Sequence, residues 1–299
     1  FEFRITKNIN AKKLYNSLYD ALNNNKYNSN YIPKEIKNID SQIKKEIINY
    51  TITSTKYLLN SNLNLNDFSF GNLVFAGIFL SKDRNFNLAI KKFSEFINSN
   101  VKIINISNNS DRWLISINKK NKIIKNEDKL VNYKQKIPIK KLFLLNKNDK
   151  DFFINNFHKT SNQKKLIFLK NKNSIPKINP EAKKIILNSD CIIYGPGTQY
   201  SSLFPSYLIA NKYIKQSKSK KIMVMNLEKD NDIYSLKTKD ILSEAINYLN
   251  SNNKPDQAIN QVLIDNNCKF NNLSNSYKKI KIEQLELKNN FNKKIHSGK

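Results

Sequence analysis

Residues 191–205 read CIIYGPGTQYSSLFP, an apolar run followed by a Gly-Pro-Gly turn and a second apolar segment. The run at 191–194 is short and β-rich, which predicts a buried strand. The apolar residues Leu203, Tyr207, Ala210 and Ile214 then recur at helical spacing. The turn holds two of the five glycines in the chain. The stretch therefore predicts a strand, a tight turn and a helix.

The same alternation continues on both sides of this stretch. Helical patterns at 179–187, 207–216 and 238–249 alternate with strand patterns at 191–194, 221–226 and 261–265. Strands that alternate with helices of this length indicate a parallel sheet with covered faces. We therefore predict an α/β fold, a mostly parallel, doubly wound sheet, with its core at about 178–285.

The upstream half has a different organisation. Residues 10–100 carry mainly helical periodicity, although FSFGNLVFAGIFL at 68–80 does not decide between helix and strand. The stretch RWLISINKKNKII at 112–124 predicts an inserted β-hairpin, and VKIINIS, KKLFLL and LIFLK predict further strands. We interpret residues 1–299 as a single domain with a helical layer at about 10–100 and a hairpin and insertion at about 101–177.

Composition argues against several classes of function. The net charge of +28 suggests a nucleic-acid or surface-binding module, but Arg4, Arg84 and Arg112 are the only arginines. The basic residues are thus almost all lysines spread along the chain, and arginine is the residue that reads bases and phosphates in pairs of hydrogen bonds. Two cysteines and two histidines are too few for a disulfide framework or a zinc site. No apolar run is long enough for a membrane span. We predict a cytoplasmic protein with no specific nucleic acid and no membrane as partner.

The turn after the strand at 191–194 is the first candidate site. Ligands of parallel sheets bind beyond the carboxyl ends of the strands. Glycine allows a positive φ and a close backbone approach, and the start of the following helix offers free amides to a phosphate. A purely structural turn is the alternative interpretation. The candidate residues are Gly195, Pro196, Gly197, Thr198, Ser201 and Ser202, together with Asn226 at the end of the next strand.

These residues also carry a family resemblance. SDCIIYGPGTQYSSLFPSYL, followed by KIMVMNL, resembles the segment aDlIviGPGSLYTSiiPNLL and the later vyvxNlm of the CofD/YvcK superfamily. FSFGNLVFAGIFL is similar to its SiGNLlLAgl element, where Gly71 and Asn72 match GN. The tail from QVLIDNN to IEQLEL is similar to the family's ending. The resemblance covers about residues 65–285.

The resemblance implies a Rossmann-like nucleotide-binding fold with two uses. The YvcK branch holds a UDP-sugar and regulates carbon flux and cell-wall synthesis. The CofD branch is a Mg²⁺-dependent transferase that moves 2-phospholactate from a guanylylated donor to a deazaflavin and releases GMP. Gly71, Asn72, the residues of the Gly-Pro-Gly turn and Asn226 would then bind the nucleotide.

This chain also departs from the family. Residues 227–235 read LEKDNDIYS where the YvcK branch continues MTQpGET. The chain does not begin with Met, and we expect the family's first glycine-rich loop and its metal-binding acidic segment upstream of Phe1. The Gly-Pro-Gly turn is of the YvcK kind. We therefore predict a nucleotide or UDP-sugar-like ligand as the small-molecule partner, with the transferase and its Mg²⁺ as the alternative. No cofactor is otherwise assigned, catalytic residues are unknown, and a homodimer is left open.

Overall fold

The computed structural model divides the chain into two compact units, residues 1–105 and 106–299. The residues that it describes are 3–5, 10–28, 30–61, 63, 65–66, 68–108, 112–157, 160–250, 254–268, 277 and 279–286. Part of the tail motif, at 269–276, 278 and 287, therefore lies outside the described residues. The single domain over residues 1–299 stays a prediction.

The first unit is helical, as its periodicity predicts. It contains α1 (Ala11–Asn24), α2 (Ser41–Leu58), α3 (Phe70–Ser81) and α4 (Phe86–Phe96), with a 3₁₀ turn at Lys34–Asn38. Side chains cap three of the helices: Asn10 accepts from Lys13 N, Asp40 accepts from the amides of 42 and 43, and Asn85 accepts from Leu88 N.

The ambiguous stretch at 68–80 forms helix α3. Its buried residues Phe70, Leu73, Val74, Gly77 and Ile78 follow the 3-4 spacing of one helix face. Gly77 allows the close approach of α2, because a Cβ at this position would lie 1.7 Å from the carbonyl oxygen of Tyr50. The glycine is therefore required by the packing of the two helices.

The second unit begins with a small antiparallel sheet, in the order β2-β1-β3. β1 (Trp113–Asn118) and β2 (Ile123–Ile124) form the predicted hairpin, and β3 (Ile139–Leu145) pairs with β1 on its other side. One face of this sheet packs against α6 (Lys147–Asn156) and α7 (Asn162–Lys172), and α5 (Glu127–Val131) follows β2.

Two predicted strands are wrong. Residues 101–107 contain no strand, only an isolated bridge between Ser107 and Ile178, and Val101 and Ile103 are exposed. Residues 166–170 lie within α7, where Leu169 alone is buried. The pattern at 166–170 was short, and short apolar runs do not distinguish helix from strand. Residues 101–107 form neither, because apart from the bridge at Ser107 no described strand pairs with them.

The parallel sheet confirms the predicted α/β fold and its Rossmann-like character. β4 (Cys191–Tyr194), β5 (Lys220–Val224), β6 (Gln261–Asp265) and β7 (Lys281–Leu285) lie side by side in chain order. They alternate with α8 (Pro180–Asn188), α9 (Phe204–Gln216) and α10 (Thr238–Tyr248). Every described pair in this sheet is parallel.

The helices cover one face of this sheet. Tyr194, Met223, Val262 and Ile264 point into the main hydrophobic cluster together with residues of α9 and α10. On the opposite face Ile193 of β4 is 64% exposed. None of the helices in the described ranges is long and apolar enough to cross a membrane.

We expect Gly77→Ala to lower the free energy of unfolding by about 2–3 kcal/mol, because the added methyl group would overlap the Tyr50 carbonyl. The measurement is urea denaturation followed by circular dichroism. Gly195→Ala is the matched control: its Cβ would meet no atom within 4 Å, so a change within about 0.5 kcal/mol is expected. Equal stability of the two variants would contradict the close approach of α2 and α3.

Candidate functional site

The glycine turn lies at the carboxyl end of β4, as predicted. Residues 195–198 follow the strand, one π-helical turn spans Gln199–Leu203, and α9 continues from there. The expected positive φ is wrong, because no glycine among the described residues has one. A Cβ on Gly195 would meet nothing within 4 Å, and one on Gly197 would only touch Leu203 at 3.7 Å. The chain's own packing therefore requires neither glycine, and the surface above Gly195 is open.

Gly197 and Asn226 are paired by two hydrogen bonds. The Gly197 amide donates to Asn226 Oδ1 at 3.1 Å, and Asn226 Nδ2 donates back to the Gly197 carbonyl at 2.9 Å. Asn226 Nδ2 also donates to Asp230 Oδ2 at 2.6 Å. These contacts orient the Asn226 amide, since the reversed orientation would place like groups against each other. Two of the predicted site residues are thus brought together.

Gln199 completes this network, and sequence reasoning missed it. Its Nε2 donates to the Gly197 carbonyl at 3.1 Å and to Asn226 Oδ1 at 3.3 Å, and the side chain is buried. The family motif quoted above has leucine at this position. The departure from that motif was the only sequence signal that could have pointed to it.

The amides predicted to bind phosphate are engaged by a carboxylate of the chain. Asp232 Oδ2 accepts hydrogen bonds from the amides of Tyr200 at 2.8 Å and Ser201 at 3.2 Å. Burial raises the pKa of Asp232 to about 6, and the nearby Asp230 carboxylate adds to the rise, while the amide hydrogen bonds oppose it. Sequence reasoning missed Asp232 as well. The turn does bind an anionic group, and in this structure the anion is internal.

The remaining candidates in the turn occupy two environments. Thr198 Oγ1 and Ser202 Oγ are hydrogen-bonded to each other at 2.8 Å, and Pro196 and Ser202 are exposed. Ser201 is buried, and its Oγ has no hydrogen-bond partner among the described residues. The hydroxyl of Ser201 thus lies beside the amide that contacts Asp232.

Gly71 and Asn72 lie in the first turn of α3, in the first unit. Gly71 is buried, whereas Asn72 is exposed, and the backbone N–H of Asn72 donates to the Ser69 carbonyl at 3.1 Å. Their membership of one nucleotide site with the residues of the second unit stays a prediction.

A cavity of about 500 Å³ lies at the carboxyl ends of β5 and β6. Gln199 and Asn226 form part of its wall, and three lysines, Lys229, Lys237 and Lys239, line it together with Glu228. The other lining residues are Met225, Leu227, Ile233, Thr238, Ile241 and Cys268. The three lysines were not singled out from the sequence, because lysine is common throughout the chain. The cavity combines an apolar wall, two oriented amides and an excess of positive charge.

Within the described ranges, no three His, Cys, Asp or Glu side chains are grouped so that they could hold a metal ion. The described residues therefore provide no set of ligands for the expected Mg²⁺.

Comparison with known proteins identifies the family. The family described as "2-phospho-L-lactate transferase CofD" matches residues 16–297. The chain belongs to the CofD family. The resemblance inferred from the Gly-Pro-Gly turn and the FGN element is thereby confirmed.

A solved structure shares the fold. The X-ray crystal structure of protein BH3568 from Bacillus halodurans aligns with a TM-score of 0.50 and 21% sequence identity. The alignment covers 73% of this chain and 61% of that chain, so this chain spans less than two thirds of its length. At this identity the likeness concerns the fold alone. No curated protein matches the chain.

We expect Asp232 to make the protein more stable as the pH falls. A carboxyl group whose pKa is raised in the folded state, from about 3.9 to about 6, contributes stability below the unfolded pKa and loses it as the pH rises through 6. When the pH is lowered from 7 to 5, the free energy of unfolding of the wild type should increase by about 1 kcal/mol more than that of Asp232→Asn.

The measurement for this prediction is urea denaturation of both proteins at the two pH values. Glu244, whose pKa is also raised by burial, is present in both proteins and largely cancels in the difference. Parallel stability curves for the wild type and the variant would show that the Asp232 carboxyl is not buried as described.

Proposed function

We propose that this chain binds a nucleotide or a UDP-sugar-like nucleotide sugar at the carboxyl edge of its parallel sheet. The observation that carries the proposal is the 500 Å³ cavity lined by Gln199, Asn226 and three lysines. Cavities of this size and position are typical ligand sites of α/β proteins. A cytoplasmic role in regulating carbon or cell-wall metabolism, as the YvcK resemblance implies, belongs to the same proposal.

The charges of the cavity favour an anionic ligand. The cavity is lined by three lysines, Lys229, Lys237 and Lys239, and by one carboxylate, Glu228. Its lining therefore has an excess of positive charge. A nucleoside diphosphate group would be attracted to these ammonium groups, and the polar amides at Gln199 and Asn226 would contact its uncharged part. The excess charge therefore supports a phosphate-bearing ligand over a neutral one.

Gly195 supports the proposal independently. A Cβ at this position would meet no atom within 4 Å, and the backbone there is therefore open to a close approach from outside. A ligand that extends from the cavity along the turn would use this opening.

We expect Gly195→Val to weaken the binding of UDP-sugars or GDP at least tenfold in isothermal titration calorimetry. The added side chain would fill the approach to the turn, whereas the melting temperature should stay within about 2 °C of the wild type because its Cβ meets no protein atom within 4 Å. Unchanged affinity would remove the turn from the site.

The lysines provide a second arm of the same experiment. Replacement of Lys229, Lys237 and Lys239 by Gln should also weaken binding at least tenfold. Replacement of Lys164, Lys165 and Lys170 by Gln, in α7 and away from the cavity lining, makes the same change in net charge and should leave the affinity unchanged. Equal losses in both triple variants would indicate that only the overall charge matters.

A Mg²⁺-dependent 2-phospholactate transferase is the second candidate function. It is favoured by the family match, whose description names this activity over residues 16–297. The described residues provide no protein cage for Mg²⁺, so the candidate rests on the family and on the three lysines that line the cavity.

If the chain is a transferase, incubation with a guanylylated lactate donor, Mg²⁺ and the deazaflavin acceptor should release GMP, measured by chromatography. The release should depend on the acceptor, because group transfer and not hydrolysis is expected. A protein that binds the nucleotide but releases no GMP would favour the binding function over the transferase.

A further inference from the structure

Asp232 occupies a position that is suited to an external anion. Its Oδ2 contacts the amides of Tyr200 and Ser201, which lie in the π-helical turn directly before α9. The amides at the start of a helix carry the positive end of its dipole, and phosphate groups bind there in many proteins. The carboxylate is 3% exposed and therefore fully enclosed by the chain.

The contact between Asp232 and the turn is incomplete. Asp232 Oδ1 and Ser201 Oγ are both buried, and neither has a hydrogen-bond partner among the described residues. A buried polar atom without a partner costs about 1–3 kcal/mol. A tetrahedral oxyanion has more acceptor oxygens than one carboxylate oxygen and could also accept from the Ser201 hydroxyl. Burial also raises the pKa of Asp232, and the Asp230 charge adds to the rise.

The segment that carries Asp232 also forms the wall of the cavity. Leu227, Glu228, Lys229, Ile233 and Lys237 line the cavity, and Asp232 lies among them in a 3₁₀ turn at Asn231–Ile233. A ligand that draws on these lysines therefore acts on the segment that holds the carboxylate in place.

Two carboxylates of this segment make hydrogen bonds at this edge of the sheet, one with the π-helical turn and one with Asn226 at the end of β5. Asp232 contacts the amides of Tyr200 and Ser201, and Asp230 accepts from Asn226 Nδ2. The two carboxylates repel each other, and the Asp230 charge contributes to the raised pKa of Asp232.

We propose that the amides of Tyr200 and Ser201, with the Ser201 hydroxyl, form an oxyanion site that Asp232 closes in this structure and leaves when a sulfate- or phosphate-like group binds. The site adds a regulated anion position to the proposed nucleotide site. It rests on the proposed function only for the identity of the natural ligand, because an inorganic anion tests it directly.

The experiment is a sulfate titration followed by the amide resonances of Tyr200 and Ser201 in ¹⁵N-labelled protein at pH 7. Sulfate keeps its double charge at this pH and introduces no titration of its own. In Asp232→Ser, which removes the internal carboxylate, sulfate should bind at least tenfold more tightly than in the wild type, with the largest shifts at these two amides.

Asp151→Ser is the matched control. It removes the same charge from an exposed position in α6, and its sulfate affinity should equal that of the wild type. An equal gain in both variants would show that net charge alone is responsible. A folded Asp232→Ser protein with wild-type sulfate affinity, or with its shifts elsewhere, would overturn the proposal and leave Asp232 as a permanent helix cap.

Asp232→Asn keeps a neutral acceptor and covers the case in which the serine variant does not fold. Its sulfate affinity should rise at least threefold, and no rise would overturn the proposal. If neither variant folds, the wild type decides, because saturating sulfate must still shift the amides of Tyr200 and Ser201.

A nucleotide titration separates this proposal from the proposed function. Nucleotide binding that leaves the amides of Tyr200 and Ser201 unshifted would preserve the proposed function and exclude the exchange of Asp232. Sulfate binding in Asp232→Ser without any nucleotide binding would preserve the anion site and exclude the proposed function.

Discussion

The reciprocal pair between Gly197 and Asn226 is the contact on which the candidate site depends. Tyr194 of β4 and Met223 of β5 are register partners in the parallel sheet. Gly197 and Asn226 each follow three residues after these partners. The pair thus extends the contact between two neighbouring strands beyond the sheet itself, through a side chain that takes the place of a backbone partner. It leaves the Gly197 carbonyl placed to accept from Gln199, so that the turn, the strand end and one cavity wall form a single hydrogen-bonded unit.

The chain as a whole is strongly basic, but two carboxylates lie close together at this edge of the sheet. A protein with a net charge of +28 places Asp232 on the amides of the π-helical turn and Asp230 on the side chain of Asn226. Three lysines, Lys229, Lys237 and Lys239, line the neighbouring cavity. The composition could not reveal either feature. Lysine is spread evenly along the sequence, so its abundance does not predict which lysines line the same cavity.

Elements supported by two independent signals were predicted correctly. The segment of helix α8 combines apolar periodicity with an Asn-Pro pair that is typical of a helix start, and in the structure Asn179 accepts from the Glu181 amide at 3.0 Å. The segments at 101–107 and 166–170 offered only a short apolar pattern, and both predictions were wrong. A short pattern of this kind becomes a strand only if a neighbouring strand accepts its hydrogen bonds, and the presence of that neighbour is a property of the whole fold.

The sequence by itself determined the α/β class, the order of strand, turn and helix around 191–216, and the CofD family. These follow from periodicity, caps and motifs, all of which act over a few residues. Only the tertiary structure decided what the amides of the turn contact. Asp232 reaches Tyr200 across 32 residues, and this contact exists because a complete helix and strand return the chain to the same edge of the sheet. Long-range pairing of this kind depends on the crossover geometry, and no local pattern encodes it.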